Sequence, residues 1–113
     1  MKLAIVGSRS INTASIEALL KQYELEPELI ITGGACGVDA LAEQYAHSAG
    51  IPVKIFKPNY RAHSRRAPLI RNKEIARECD TLLALWDGKS RGTWHVAHFA
   101  AKIGKNVITH QMR

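Results

Sequence analysis

Five short apolar runs, Leu3–Val6, Leu29–Thr32, Val53–Phe56, Thr81–Trp86 and Asn106–Thr109, punctuate this chain, and the stretches between them have helical periodicity. Ile16, Leu19, Leu20 and Tyr23 share one face of the first stretch. Val38, Leu41, Ala42, Tyr45, Ala46 and Ala49 form a stripe on the second, which stops at Gly50 with Pro52 beyond. Pro68 suits the first turn of the third, whose buried side is marked by Ile75, Ala76 and Cys79. The fourth carries Val96, Ala97, Ala100 and Ile103 and ends at Gly104. Strand–helix alternation with nearly continuous apolar strands implies a parallel sheet covered on both faces. Right-handed crossovers make it a single doubly wound, Rossmann-like α/β sandwich of three layers over residues 1–113, with an expected strand order of 3-2-1-4-5.

This topology sorts the connections into two classes. In a parallel sheet all strands end on one edge, and ligands bind there, near the point where strand order reverses. The unusual loops fall on that edge: Gly7-Ser8-Arg9-Ser10, Thr32-Gly33-Gly34-Ala35-Cys36-Gly37, the basic loop Lys57–Ala67, and Asp87-Gly88-Lys89-Ser90-Arg91-Gly92-Thr93. The opposite connections, Tyr23–Glu28 and Ser48–Pro52, are plain joints. Glycines at a strand–helix junction let backbone N–H groups approach a ligand and turn the helix's positive end toward it. A nucleotide-like ligand follows.

Composition narrows the setting. The net charge of +6 is uneven, with Lys57, Arg61, Arg65, Arg66, Arg71, Lys73 and Arg77 crowded together. Such a cluster attracts phosphate, on a small nucleotide or along a nucleic acid, or else is a solvated basic face. Two cysteines, Cys36 and Cys79, make neither a disulfide framework nor a zinc ribbon. No apolar run has membrane-spanning length, and Met1–Gly7 is too short for a signal peptide, so a cytoplasmic protein without membrane contact is expected.

Two common nucleotide motifs are excluded. A dinucleotide fingerprint needs G-x-G-x-x-G after strand one and an acid ending strand two, but these strands end in Gly7-Ser8-Arg9 and Thr32-Gly33. Gly88-Lys89-Ser90 has the end of a P-loop, yet the upstream glycine position is Leu83, inside a strand.

Among individual residues, Gly33, Gly34 and Gly37 would bring amides to phosphate or ribose oxygens; a tight turn alone does not need three glycines. Asp39 suits the first helical turn and would either hold the Ser8-Arg9 loop or touch ligand. Arg9 and Arg71 can each grip a phosphate bidentately. Asn72 can bond a base or ribose, or simply pack. Ser90 and Thr93 are caps or phosphate ligands beside Gly92. Trp94 and Tyr60 are candidates for stacking on a base, with ordinary packing as the plain alternative. His95 and His98 stand three apart with no further metal-ligand pattern, so no metal is expected.

Gly7-Ser8-Arg9, T-G-G-A-C-G-V-D with Ala42 and Ala46 behind it, Arg71-Asn72, and W-D-G-K-S-R-G-T together resemble the SLOG superfamily. This Rossmann-like group contains the LOG phosphoribohydrolases, the YpsA-type proteins and the DNA-processing protein A core; the pattern is most similar to its small stand-alone YspA-related branch. The resemblance implies a nucleotide or nucleotide derivative held by the strand-two and strand-four loops, no separate cofactor, and a homo-oligomer, most simply a dimer. The implied binding set is Gly7, Ser8, Arg9, Thr32, Gly33, Gly34, Gly37, Asp39, Arg71, Asn72, Gly88, Ser90, Gly92 and Thr93. LOG enzymes cut the N-glycosidic bond with an arginine and a glutamate after a P-G-G-x-G-T loop. Arg71 matches the arginine, whereas His95 stands where the glutamate would be and Trp86-Asp87-Gly88 replaces P-G-G; the implied catalytic candidates are Arg71, Asp87 and His95. Three readings follow: a nucleotide-binding or sensing domain, an N-glycosidase, or a single-stranded DNA binder using the basic loop.

Overall fold

A computed structural model describes residues 1–112; Arg113, the last residue of the expected domain, lies outside the described residues. Five strands, β1 (Lys2–Gly7), β2 (Leu29–Thr32), β3 (Val53–Ile55), β4 (Thr81–Trp86) and β5 (Asn106–Gln111), form one parallel sheet in the order β3-β2-β1-β4-β5. This is the expected doubly wound order. Five helices accompany it: α1 (Ile16–Gln22), α2 (Val38–Ala49), α3 (Tyr60–His63), α4 (Ala67–Glu78) and α5 (Arg91–Lys102). No described helix is long and apolar enough to cross a membrane.

The strands are apolar throughout because both faces are covered, and successive side chains point to opposite faces. Leu3, Ile5, Ile30, Leu83 and Leu85 pack with Ile16, Leu19, Leu20, Val38, Ala42 and Ala46 of α1 and α2. Ala4, Val6, Ile31, Leu82 and Ala84 point the other way, against Ile75 and Ala76 of α4 and Val96 and Ala100 of α5. Each fully buried leucine or isoleucine contributes roughly 1.5–3 kcal/mol, so neither layer is dispensable. Ala49 and Ile103, the last members of two helical stripes, are exposed at the ends of α2 and α5, Ile103 being the residue that caps α5.

Local signals set the helix ends. Ser15 caps α1 by accepting from the Ala18 amide, Pro68 sits in the first turn of α4, and Gly50 closes α2 with φ 69°. One segment departs from expectation. The stretch Lys57–Ala67, read as a loop, contains α3, capped by Asn59 through the Ala62 amide, followed by a 3₁₀ turn at Ser64–Arg66. A single helical turn is too short to leave a periodic signature. β5 also runs two residues past Thr109, because β4 continues pairing as far as Trp86 with Gln111.

Candidate functional site

β1 is followed by a chain that turns to one side of the sheet, and β4, its neighbour, by one that turns to the other. Where the two loops part, at the carboxyl ends of the strands, a cleft of about 390 Å³ opens. Gly7, Arg9 and Ser10 line it from β1, Ala35 and Asp39 from the start of α2, and Asp87, Ser90, Gly92 and Thr93 from the β4–α5 junction. Pro68, Leu69, Arg71, Asn72 and Ile75 of α4 close the third side. Eight of the expected binding residues thus share one cleft: Gly7, Arg9, Asp39, Arg71, Asn72, Ser90, Gly92 and Thr93. Ser8, Thr32, Gly33, Gly34, Gly37 and Gly88 stand behind or beside it.

The strand-two loop already holds an anion, and it belongs to the chain. The Asp39 carboxylate, 5% exposed, accepts from the Ala35 amide at 3.2 Å. Burial raises its pKa above the usual carboxylate value, and the Ala35 amide, the Arg71 charge, Thr32 and the Gly33 backbone offset only part of that rise. Thr32 Oγ1 is close enough to favour the ionised carboxylate but makes no hydrogen bond of full geometry. The glycines make room for this arrangement. A Cβ on Gly33 would stand 2.7 Å from Arg71 Nη1 and 2.9 Å from Asp39 Oδ2. Gly37, with φ 74° and ψ −129°, brings α2 so close to the β1 loop that a Cβ would lie 2.6 Å from the carbonyl oxygens of Ser8 and Arg9. The Val38 amide points at Ser8 O from 3.5 Å, closing that helix end against β1.

Arg71 reaches inward from α4 and is only 8% exposed. Nη1 donates to Gly33 O at 2.6 Å and Nε to Asn72 Oδ1 at 2.9 Å. Asn72 thereby orients the guanidinium. Among the described residues Nη2 has no hydrogen-bond partner, so part of the donor fork remains for something in the cleft. Burial lowers the Arg71 pKa, Asp39 raises it and Arg9 lowers it again. A guanidinium stays charged through such a shift.

The β4–α5 wall is a stapled loop. Ser8 Oγ accepts from the Asp87 amide at 3.1 Å and Ser10 Oγ donates to Asp87 Oδ2 at 2.9 Å, joining the β1 and β4 loops. Asp87 Oδ1 accepts from the Lys89 and Ser90 amides, each at 2.8 Å. These two amides and the Ser10 hydroxyl hold the Asp87 pKa down to about 2. Ser90 then caps α5, accepting from the Thr93 amide and pairing with the Thr93 hydroxyl at 3.0 Å. The amides of Arg91 and Gly92, in the first turn, have no partner among the described residues. Gly92 differs from the other loop glycines: its φ is ordinary, and a Cβ there would meet nothing within 4 Å. The chain supplies no steric reason for a glycine at this position.

His95 lies outside the cleft. It lines an adjoining hollow with Trp86 and Trp94, and burial, Lys73 and His98 all lower its pKa. Arg61, Arg65 and Arg66 are exposed on α3 and the 3₁₀ turn and do not line the cleft either.

The half of the molecule that runs from β1 through α3, with its Gly7-Ser8-Arg9 turn packed on the glycine loop of β2, matches the model of the YspA, cpYpsA-related SLOG family over residues 1–63. The chain belongs to this family. Arg71 and the β4–α5 loop lie beyond the matched segment of this SLOG protein. No curated protein matches the chain.

Two cleft residues of this SLOG domain escape sequence reasoning. Ser10 matters through its bond to Asp87, a partner 77 positions away that no local pattern announces. Leu69 stays 43% exposed at the cleft mouth; its only signal is an apolar residue directly after the Pro68 that opens a helix.

Proposed function

We propose that this SLOG domain binds a small phosphorylated ligand of the nucleotide class in the β1–β4 cleft and acts as a binding or sensing domain. One observation carries the reading. A buried arginine, fixed from behind by Gly33 O and Asn72, keeps an unfilled donor at a cleft that is also lined by Gly92, whose first-turn amide in α5 is unpaired among the described residues. Arg9 adds a second cation at the rim. A guanidinium and a helix N-terminus converging on one space favour a phosphate. The Ala35 amide of the strand-two loop is spent on Asp39, so the phosphate is assigned to the α5 side and the β2 loop to the wall that fixes Arg71.

Binding without bond cleavage is favoured by the state of the carboxylates. Both oxygens of Asp87 are occupied by the loop's own donors, and Asp39 faces Arg71 from a buried position. Neither is free to activate water as glycoside hydrolysis requires.

A thermal-shift and calorimetric series with the four nucleoside 5′-monophosphates, ribose 5-phosphate and inorganic phosphate tests the reading. At least one nucleotide is expected to raise Tm. Arg71→Lys should weaken its binding about tenfold or more, since lysine lacks the planar fork. Arg9→Ala touches no internal hydrogen bond and should weaken binding several-fold while leaving Tm of the free protein unchanged. If no phosphorylated compound stabilises the protein, the reading is wrong; release of free base would replace it with the hydrolytic one.

A further inference from the structure

A second hollow, of about 430 Å³, adjoins the cleft and shares Leu69, Ser90 and Gly92 with it. Each space is within the range of small-ligand sites. They differ in character. The cleft gathers Arg9, Arg71 and helix amides, whereas Trp86 and Trp94 wall the hollow. Trp94 is 54% exposed, which is costly for so large an apolar ring. One face of its indole is stacked on His98, with centroids 4.6 Å apart and planes 12° from parallel. That contact spans one helical turn and fixes the ring's orientation. The opposite face has no aromatic partner among the described residues. The polar end of Trp86 is spent, since Nε1 donates to Ser90 O at 2.9 Å, and the ring itself is what it offers to the hollow.

We infer that the hollow is a base subsite, in which the heteroaromatic ring of a nucleoside phosphate stacks on Trp94 while its phosphate sits at the α5 N-terminus. This rests on the nucleotide reading of the cleft and adds where the base goes and which residue selects it. Gly92 stands on the boundary between the two spaces and carries no side chain to divide them. A single ligand can therefore bend around the first turn of α5 with its charge on one side and its flat ring on the other. His95 also lines the hollow, but its Nδ1, buried and without a partner among the described residues, does not open onto it, so the stacking surface is what the hollow offers a base.

The test compares a nucleotide with the same phosphate lacking its base. The four nucleoside 5′-monophosphates and ribose 5-phosphate are titrated into the wild type, Trp94→Ala and Trp94→Phe. In the wild type the best nucleotide should bind at least about tenfold more tightly than ribose 5-phosphate, a ratio typical of one base–aromatic stack. Trp94→Ala should bring the ratio close to one without changing the affinity for ribose 5-phosphate, and Trp94→Phe should keep most of it. Nucleotide, but not ribose 5-phosphate, should quench tryptophan emission, and Trp94→Phe should remove most of that quench despite Trp86. Because Trp94 is on the surface of α5, both variants should fold. Equal binding of nucleotide and ribose 5-phosphate by the wild type, or a ratio indifferent to Trp94→Ala, overturns the base subsite and leaves the phosphate cleft standing. Failure of every phosphorylated compound to bind overturns both.

Discussion

Replacing Gly92 by alanine separates what the fold wants from what a ligand wants. Gly92 is the second residue of α5, after Arg91 and the Ser90 cap, and a methyl group there would touch nothing within 4 Å. Its φ is not in the left-handed region, so alanine adopts the same backbone without strain. Alanine also restricts the unfolded chain and is the better helix former. Gly92→Ala should therefore stabilise the free protein by about 0.5–1 kcal/mol. For a domain of this size that corresponds to a rise in Tm of roughly 2–5 °C. The effect on binding has the opposite sign. Cα–Cβ bonds tilt toward the N-terminus of a helix, so the new methyl would stand beside the open amides of Arg91 and Gly92. Pushing a phosphate oxygen off one such amide forfeits a charge-assisted hydrogen bond worth about 1.5–3 kcal/mol, or about ten- to a hundredfold in affinity. Differential scanning calorimetry of the free protein and titration with whichever nucleotide stabilises the wild type give the two numbers. A higher Tm with unchanged affinity would refute the approach of ligand to this helix end. A lower Tm would refute the local geometry itself.

Other perturbations address the frame and its charges. Gly37→Ala should cost about 3 kcal/mol or more, because its backbone geometry suits glycine alone and a Cβ would press on two carbonyl oxygens at 2.6 Å; Gly50→Ala, in a plain left-handed cap with open space around it, should cost only about 1–2 kcal/mol. Urea denaturation should rank them in that order, and equal losses would count against the packing of α2 on the β1 loop. Asp87 has its folded pKa depressed from 3.8 to about 2, so its contribution is fully present above about pH 4 and is lost as pH falls through about 2. Asp87→Asn should accordingly have a lower Tm than the wild type at pH 7, with the gap narrowing between pH 4 and pH 2; a gap independent of pH would exclude charge as the source of the staple.

Much of the frame can be read from local rules. Apolar runs bounded by turns fall on all five strands, and Ser15, Pro68 and Gly50 mark helix ends by chemistry that acts within four residues. The parallel order follows once strands and helices alternate, since handedness leaves few ways to wind them. What local rules miss depends on distant partners or very short elements. α3 is one turn long and owes its start to Asn59. The bonds Ser8–Asp87, Ser10–Asp87 and Arg71–Gly33 span 79, 77 and 38 positions. Each residue looks like a loop or helix residue until the sheet brings its partner alongside.

The glycine loop after β2 shows how the same residues can serve an anion without exposing it to solvent. Glycines, a helix start and nearby basic charge mark a place where a negative group is stable, but they do not say whose group it is. Asp39 lies two residues past Gly37, and the fold turns its carboxylate back onto the Ala35 amide. That internal carboxylate helps keep a buried guanidinium in place: Gly33 O takes one of the Arg71 donors, Asp39 interacts with its charge, and Arg71 lines the cleft with Nη2 unpaired among the described residues. Asp39 and the β2 glycines would then set the position and charge of Arg71 rather than contact phosphate directly. On this argument a change at Gly33 should disturb ligand binding through Arg71, whereas one at Gly92 should disturb it directly.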